Sequence, residues 1–344
     1  MNKNICFFNS CKIWGGGEKW HYDTAIQLSK RGYQITFFAN PTSKLYNKLK
    51  NKDINLYPII IENISFLNLF KMKSIMDIFK KESIDILILN LPSDLKIAGI
   101  GAKLAGIERI IYRRRSAIPI KNTIFNKFLL KDCVTDIIAN SKTTKETVLK
   151  NTKEWLNEKK IKKIYNVIDI DKMNKKEWDY IYEKDKDEII LGNAGRLSEQ
   201  KGQKYLIDIA CELKNRDIKF KILIAGTGEL ENKLREYAKK KQVEDKVIFL
   251  GFVENIKSFM KSIDIFILTS LWEGFGYVMV EAMANEKPVL AFDVSNISEI
   301  IEDQKSGYLV SDFNIEEMCD KVGKISKDEL LLEDMGDYGK KRVK

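Results

Sequence analysis

Short runs of β-branched and aromatic residues recur along the chain, separated by amphipathic stretches. They predict strands at 5–9, 34–39, 55–61, 85–90, 109–113, 136–139 and 163–166, and a second series at 189–194, 219–225, 247–252, 265–269, 288–293 and 307–310. Most of these runs are apolar almost throughout rather than alternately, so both faces of each strand are to be buried. That is the pattern of parallel sheets covered by helices on both sides. Between the two series, residues 171–188 are rich in Lys, Asp, Glu and aromatics and lack strand character, which marks a linker. The expected fold class is therefore α/β. Two Rossmann-like doubly wound domains, 1–170 and 189–344, are expected to face each other across a cleft. Ligands of such sheets sit beyond the carboxyl ends of the strands, so the chemistry is to be sought in the loops that follow them.

Composition narrows the classes. The chain has 344 residues, 44% hydrophobic and 31% charged, enough for two domains and unlike a disordered or fibrous protein. No apolar run approaches the roughly 18 residues of a membrane span. The start, Met1-Asn2-Lys3-Asn4-Ile5-Cys6, lacks the pattern of a secretory signal. Five cysteines, odd in number and without a Cys-x-x-Cys pair, read as reduced thiols of a cytoplasmic protein, and a single histidine argues against multi-histidine metal chemistry. Charge is uneven. Residues 1–170 carry 30 Lys and Arg against 15 Asp and Glu, a net of +15, whereas the remainder nets −5. A basic first half suits an anionic partner such as membrane headgroups, nucleic acid or a phosphorylated acceptor; equally, a Lys-, Ile- and Asn-rich source composition would put lysines on helices merely to solvate them. Nucleic acid needs interleaved aromatics or a known module, and neither is found.

Four loops carry candidate chemistry. After the first strand, Gly15-Gly16-Gly17-Glu18 opens an amphipathic helix. Glycines there let backbone N–H groups approach an anion, or simply make a tight turn. After residues 189–194 comes Gly195-Arg196-Leu197-Ser198-Glu199-Gln200-Lys201-Gly202, ahead of a helix expected near Gln203. A guanidinium fork and an ammonium aimed at one cleft suit a diphosphate; the plain reading is two surface cations. Third is Trp272-Glu273-Gly274-Phe275-Gly276-Tyr277, running into an apolar helix that contains Glu281. Eight helical positions rise about 12 Å, too far for a glycosidase pair with carboxyls about 5 Å apart. The two carboxylates are better placed to touch different parts of one extended ligand, with a ribose diol an apt partner for one of them; the alternative is that Glu281 merely solvates its helix. Last, Ala225-Gly226-Thr227-Gly228-Glu229 and Gly251-Phe252-Val253 each follow a strand, and both suit the rim of the same cleft.

Together these motifs, in this order, resemble family 4 of the retaining glycosyltransferases, two-domain GT-B enzymes that move a sugar from a nucleotide donor. Tyr165-Asn166-Val167-Ile168-Asp169 resembles the family's segment at the domain junction, and Ser298-Glu299-Ile300-Ile301 through Gly307-Tyr308-Leu309-Val310 its later motif. The resemblance implies a catalytic set of Glu273, Arg196 and Lys201, the two cations neutralising the donor diphosphate. It implies donor contacts from Gly16, Gly17, Gly226, Phe252, Val253, Phe275, Gly276 and Tyr277, with Glu281 on the ribose. It also implies no metal and no cofactor beyond the nucleotide-sugar donor. Asp169-Ile170-Asp171, nominally the manganese motif of other transferases, lies at the junction and reads as structural. A UDP-sugar is favoured over GDP-mannose, with a hexose or N-acetylhexosamine passed to a glycan or lipid-linked acceptor. The implied setting is lipopolysaccharide, capsule or related envelope synthesis, in the cytoplasm or peripherally at the anionic inner membrane face.

Two departures stand out. Many relatives have a histidine after the fifth strand; here Tyr112-Arg113-Arg114-Arg115-Ser116 occupies that region, and Arg113, Arg114 and Arg115 become the acceptor-side candidates or simply part of a basic surface. His21, on the first helix, reads as an ordinary helix residue. The chain stops at Lys340–Lys344, so the helix that closes many relatives is expected to be missing. The alternative to transfer is a non-catalytic nucleotide-sugar-binding or epimerase-like protein of the same fold.

Overall fold

In β1 (Asn4–Asn9) alternate side chains go to opposite faces, as in any strand, yet every residue from Ile5 to Asn9 is buried. Cys6 and Phe8 join one apolar layer, Ile5 and Phe7 another. The same split recurs in β8 (Ile189–Ala194), where Leu191 faces one core and Ile190 and Ala194 the other. A strand buried on both faces requires helices above and below it, and a parallel strand needs a crossover to return; one architecture satisfies both demands. The computed structural model describes residues 3–167, 179–311 and 313–344, and the chain divides into two compact units, Met1–Asn166 and Val167–Lys344.

The first unit holds a seven-stranded, all-parallel sheet in the order β3-β2-β1-β4-β5-β6-β7. Its further strands are β2 (Gln34–Ala39), β3 (Asn55–Pro58), β4 (Ile86–Leu89), β5 (Arg109–Arg114), β6 (Asp136–Ala139) and β7 (Ile161–Lys163). The second holds six parallel strands in the order β10-β9-β8-β11-β12-β13. These add β9 (Phe220–Ala225), β10 (Val247–Gly251), β11 (Ile265–Leu268), β12 (Val289–Phe292) and β13 (Gly307–Val310). Each order reverses once, between β1 and β4 and between β8 and β11. There the connections leave in opposite directions and open a crevice at the carboxyl ends.

Two expected strands differ in place. β3 is Asn55–Pro58 rather than 55–61; Pro58 is tolerated because β3 is an edge strand, and the Ile59 amide still donates to the Ala39 carbonyl at 2.9 Å. β7 is Ile161–Lys163 rather than 163–166: Ile161 is the side chain that enters the core, whereas Ile164 and Tyr165 are exposed. The expected linker falls partly on residues 168–178, outside the described residues. Its later part is held against the second unit, where the Ile181 amide donates to Ser262 Oγ at 2.7 Å and Lys184 pairs with Asp264 at 2.8 Å.

Candidate functional site

In the second unit, the loops after β8, β9, β10 and β11 are bonded into one floor. Gly195 N donates to the Ala225 carbonyl at 2.9 Å, Leu197 N to Thr227 at 3.0 Å, Gly226 N to Gly251 at 2.7 Å and Leu271 N to Gln200 at 2.8 Å. Thr269 Oγ1 adds a bond to the Lys201 carbonyl at 3.1 Å. Such close backbone contact demands glycine. Gly226 has φ +145°, and a Cβ there would collide with the Gly195 carbonyl; Gly202, at φ +60°, would collide with that of Thr269. The spacing of glycines in the sequence thus reflects loop-on-loop packing as well as openness to a ligand.

Across the switch point, Lys201 of the β8 loop meets Glu273 of the β11 loop, Nζ to Oε1 at 2.5 Å. Ser270 Oγ donates to the same carboxylate oxygen at 2.7 Å, and the Glu273 amide donates to Ser295 Oγ at 3.2 Å. Glu273 is 4% exposed; a carboxylate so enclosed is tolerable because a cation and a hydroxyl both serve it. Arg196 is exposed on the β8 loop, whose shape Gln203 Nε2 fixes by donating to the Arg196 carbonyl at 3.0 Å. The helix expected near Gln203 begins at Lys204, after a short turn at Glu199–Lys201.

Glu273 lies in the loop before the helix Tyr277–Ala284, and Glu281, half-buried, lies within that helix. Gly276 caps the helix at φ +78°. Phe275 is buried in the core, with the Tyr277 ring edge-on to it at 5.5 Å. Phe252 is exposed and Val253 half-buried, just past β10.

The first unit carries a second polar cluster at its own switch point. Ser10 Oγ, after β1, donates to Asp94 Oδ1 at 2.5 Å, and the amides of Ser10 and Leu91 each reach Asp94 Oδ2 at 3.3 Å. Asp94 is fully buried, and burial pushes its carboxyl up to about 7. Glu18, near the start of the helix Gly16–Lys30, is 2% exposed and accepts from Asn90 Nδ2 at 3.1 Å and Arg115 Nη1 at 3.2 Å. Arg115 covers Gly17, where a Cβ would strike its guanidinium, whereas Gly16 is exposed.

The three arginines do not form a shared cationic face. Arg113 is 1% exposed, lies 4.4 Å over the Trp20 ring and donates to Asn90 at 3.4 Å and Asn166 at 2.9 Å. It is shut inside the unit, so the expectation of Arg113 as an acceptor-side contact is corrected by its burial. Arg114 donates to the Ile118 carbonyl at 2.5 Å and Arg115 is paired with Glu18. His21 is fully buried against Phe7, Phe37 and Trp20, and neither ring nitrogen has a hydrogen-bond partner. Burial, then the charges of Arg113 and Arg115, hold its pKa well below 6.5, so it is neutral in the fold. Sequence reasoning did not pick out Asp94, Asn90, Ser270 or Ser295. Only the late pairing of distant loops reveals them. The Asp169 and Asp171 pair falls outside the described residues. Among the described residues no cluster of three or more His, Cys, Asp or Glu side chains is placed to hold a metal ion.

Two doubly wound parallel sheets with glycine loops at their carboxyl ends place the chain in the GT-B class of two-domain α/β proteins. HepE of Anabaena, solved with UDP and glucose, superposes with a TM-score of 0.83 at 20% identity, covering 99% of this chain and 95% of that one. Residues 14–172 match the model of Glycosyltransferase Family 4, and residues 174–342 that of Glycosyl transferases group 1. The chain belongs to this glycosyltransferase family.

Among curated relatives, the poly(ribitol-phosphate) alpha-N-acetylglucosaminyltransferase of Staphylococcus aureus is 30% identical over 45% of this chain and 32% of its own length. The N-acetylgalactosamine-N,N'-diacetylbacillosaminyl-diphospho-undecaprenol 4-alpha-N-acetylgalactosaminyltransferase of Campylobacter jejuni is 30% identical over 65% of this chain and 60% of its own. The matches thus span from about a third to three-fifths of the length of these relatives.

Proposed function

We propose that the chain transfers a hexose or N-acetylhexosamine, with retention, from a nucleotide-diphospho-sugar to a glycan or lipid-linked acceptor of a cell-envelope polymer, and that UDP is the preferred carrier. The observation that carries this reading is the Lys201–Glu273 pair at the β8/β11 switch point. It sets a cation and a carboxylate side by side in the crevice where doubly wound sheets receive nucleotides.

Lys201 and Arg196 would neutralise the diphosphate as negative charge builds on the departing nucleotide. Glu273, oriented by Ser270 and by its own amide bond to Ser295, would sit beside the transferred sugar. Glu281 would hold the ribose hydroxyls and Phe252 and Val253 the base, while Gly226 and the amides of Phe275, Gly276 and Tyr277 complete the floor. On the first unit, Gly16 would approach the diphosphate, while Gly17 is covered by Arg115. Two cations in these places supply the charge that a divalent metal supplies elsewhere, so metal-independent transfer is expected. Retention is supported by relatives named for alpha-linked N-acetylhexosamine products, since the common UDP-N-acetylhexosamine donors are alpha-linked. The setting proposed is the cytoplasm, with peripheral contact at the inner membrane face.

The test is a thermal-shift screen against UDP, GDP, ADP and their sugars, with and without EDTA. One nucleotide should raise the melting temperature selectively and independently of EDTA, since ligand binding stabilises by RT ln(1 + [L]/Kd). The anomeric proton coupling of the product then reads retention. No shift with any nucleotide, or an inverted product, overturns the reading.

A further inference from the structure

We propose that the first unit docks on an anionic lipid surface through an apolar, lysine-fringed patch formed by residues 60–73 and 118–131. In the first segment Ile64, Leu67, Leu69 and Phe70 are 68 to 90% exposed; in the second Ile124 is 91% and Phe128 42% exposed. The two segments adjoin, because the Phe66 and Phe125 rings lie 5.2 Å apart and both pack on the unit's core. Apolar side chains scattered singly over a surface are ordinary. Six of them on two adjoining, anchored segments mark a contact surface.

Charge identifies the occupant. Residues 109–131 hold seven arginines and lysines and no carboxylate, and residues 60–73 a single one, Glu62. Lys73, Lys121, Lys127 and Lys131, on the same two segments, are exposed. Apolar side chains that enter the acyl boundary, ringed by ammonium groups at phosphate level, are what an anionic bilayer attracts. A second copy would set this cationic fringe against itself across a two-fold axis. Most of these side chains are more than two-thirds exposed, and a bilayer yields around such side chains where a protein partner would need matching holes. No helix among the described residues is long and apolar enough to cross a membrane, so the contact proposed is peripheral. This docking deepens the reading of a lipid-linked acceptor and is measured independently of it.

The experiment is co-sedimentation of the full chain with vesicles of phosphatidylcholine alone or with phosphatidylglycerol added. Partitioning should require the anionic lipid and weaken with salt. Each lysine removed near an anionic surface lowers binding about fivefold, so replacing Lys121 and Lys127 by glutamate should lower partitioning by more than about 25-fold. Phe70→Ser with Ile124→Ser, both at exposed positions, should lower it by about tenfold or more at unchanged melting temperature. Equal partitioning into both vesicle types, or partitioning unaffected by both variant pairs, overturns the proposal. So does an oligomer seen by sedimentation velocity that Phe70→Ser with Ile124→Ser dissolves, which would make the patch a self-association surface. UDP thermal shifts on the same variants separate the two readings. Vesicle binding without a nucleotide shift retains the docking and sinks the transferase proposal, and the converse sinks only the docking.

Discussion

Removing the Lys201 ammonium separates its structural from its functional role. In the fold it neutralises Glu273, whose side chain is 6% exposed, while Lys201 itself is 20% exposed. Taking one partner from a fully buried ion pair costs about 3 to 5 kcal/mol. Lys201 keeps some solvent and Ser270 still donates to the carboxylate, so Lys201→Met should cost about 2 to 3 kcal/mol. For a unit of this size that lowers the melting temperature by about 5 to 10 °C. Most of the loss is the penalty of an unpaired carboxylate. The double variant Lys201→Met with Glu273→Gln should therefore recover most of it, the neutral amide still accepting from Ser270. UDP affinity should behave otherwise. A charge-assisted bond to the diphosphate is worth about 1.5 to 3 kcal/mol, so calorimetry should show UDP binding weakened about 10- to 100-fold in the single variant and unrestored in the double. The reasoning fails if the double variant is no more stable than Lys201→Met, or if it regains wild-type UDP affinity.

Other expectations follow from the same geometry. Gly226→Ala forces a Cβ into the Gly195 carbonyl, and should cost about 2 kcal/mol or more while abolishing the nucleotide-induced thermal shift; a stable variant with an intact shift contradicts the loop packing. Arg113→Ala leaves Asn90 and Asn166 facing a void beside Trp20 and should destabilise by about 3 kcal/mol, read by chemical denaturation; a near-neutral effect would return Arg113 to the candidates for ligand contact. Asp94 ionises near pH 7 in the fold but near 3.8 when unfolded. The native state therefore holds its proton longer, and stability contributed by this group falls as pH rises from about 4 to 7, on the order of 4 kcal/mol in total. His21 works the other way, its depressed pKa withdrawing stability as pH falls below 6.5. Between about pH 4 and 6.5 the two slopes oppose. Denaturation across that range should show Asp94→Asn gaining on the wild type as pH rises and His21→Phe losing on it; parallel profiles would refute both assignments.

The architecture was legible because its signal is local. Burial on both strand faces writes itself as unbroken apolar runs such as Ile86–Leu89 and Ile265–Leu268, and most predicted strands fall within a residue or two of the observed ones. Glycine loops were legible as loops because glycines recur just after the strands, but the carbonyls that demand them lie in other loops, that of Gly195 against Gly226 and that of Thr269 against Gly202. The misplaced β7 shows the limit. Ile164 and Tyr165 look like strand residues, and only the ladder with β6 decides that Ile161 enters the core instead.

Which polar groups meet was beyond local pattern. Lys201 and Glu273 are 72 positions apart, Ser10 and Asp94 84, Glu18 and Arg115 97. They join because the strand order sets β4 beside β1 and β11 beside β8, with β5 one strand further on, and so gathers loops that are distant in the chain at one end of each sheet. The sequence by itself determined two parallel sheets, their glycine floors and the cations and carboxylates available to them. Tertiary structure alone decided that Arg113 is an interior strut, that Arg115 belongs to Glu18, and that Lys201 waits beside a buried carboxylate. The physical reason is that period and propensity act over a few residues, whereas the desolvation of a charge is settled by whatever the completed fold places against it.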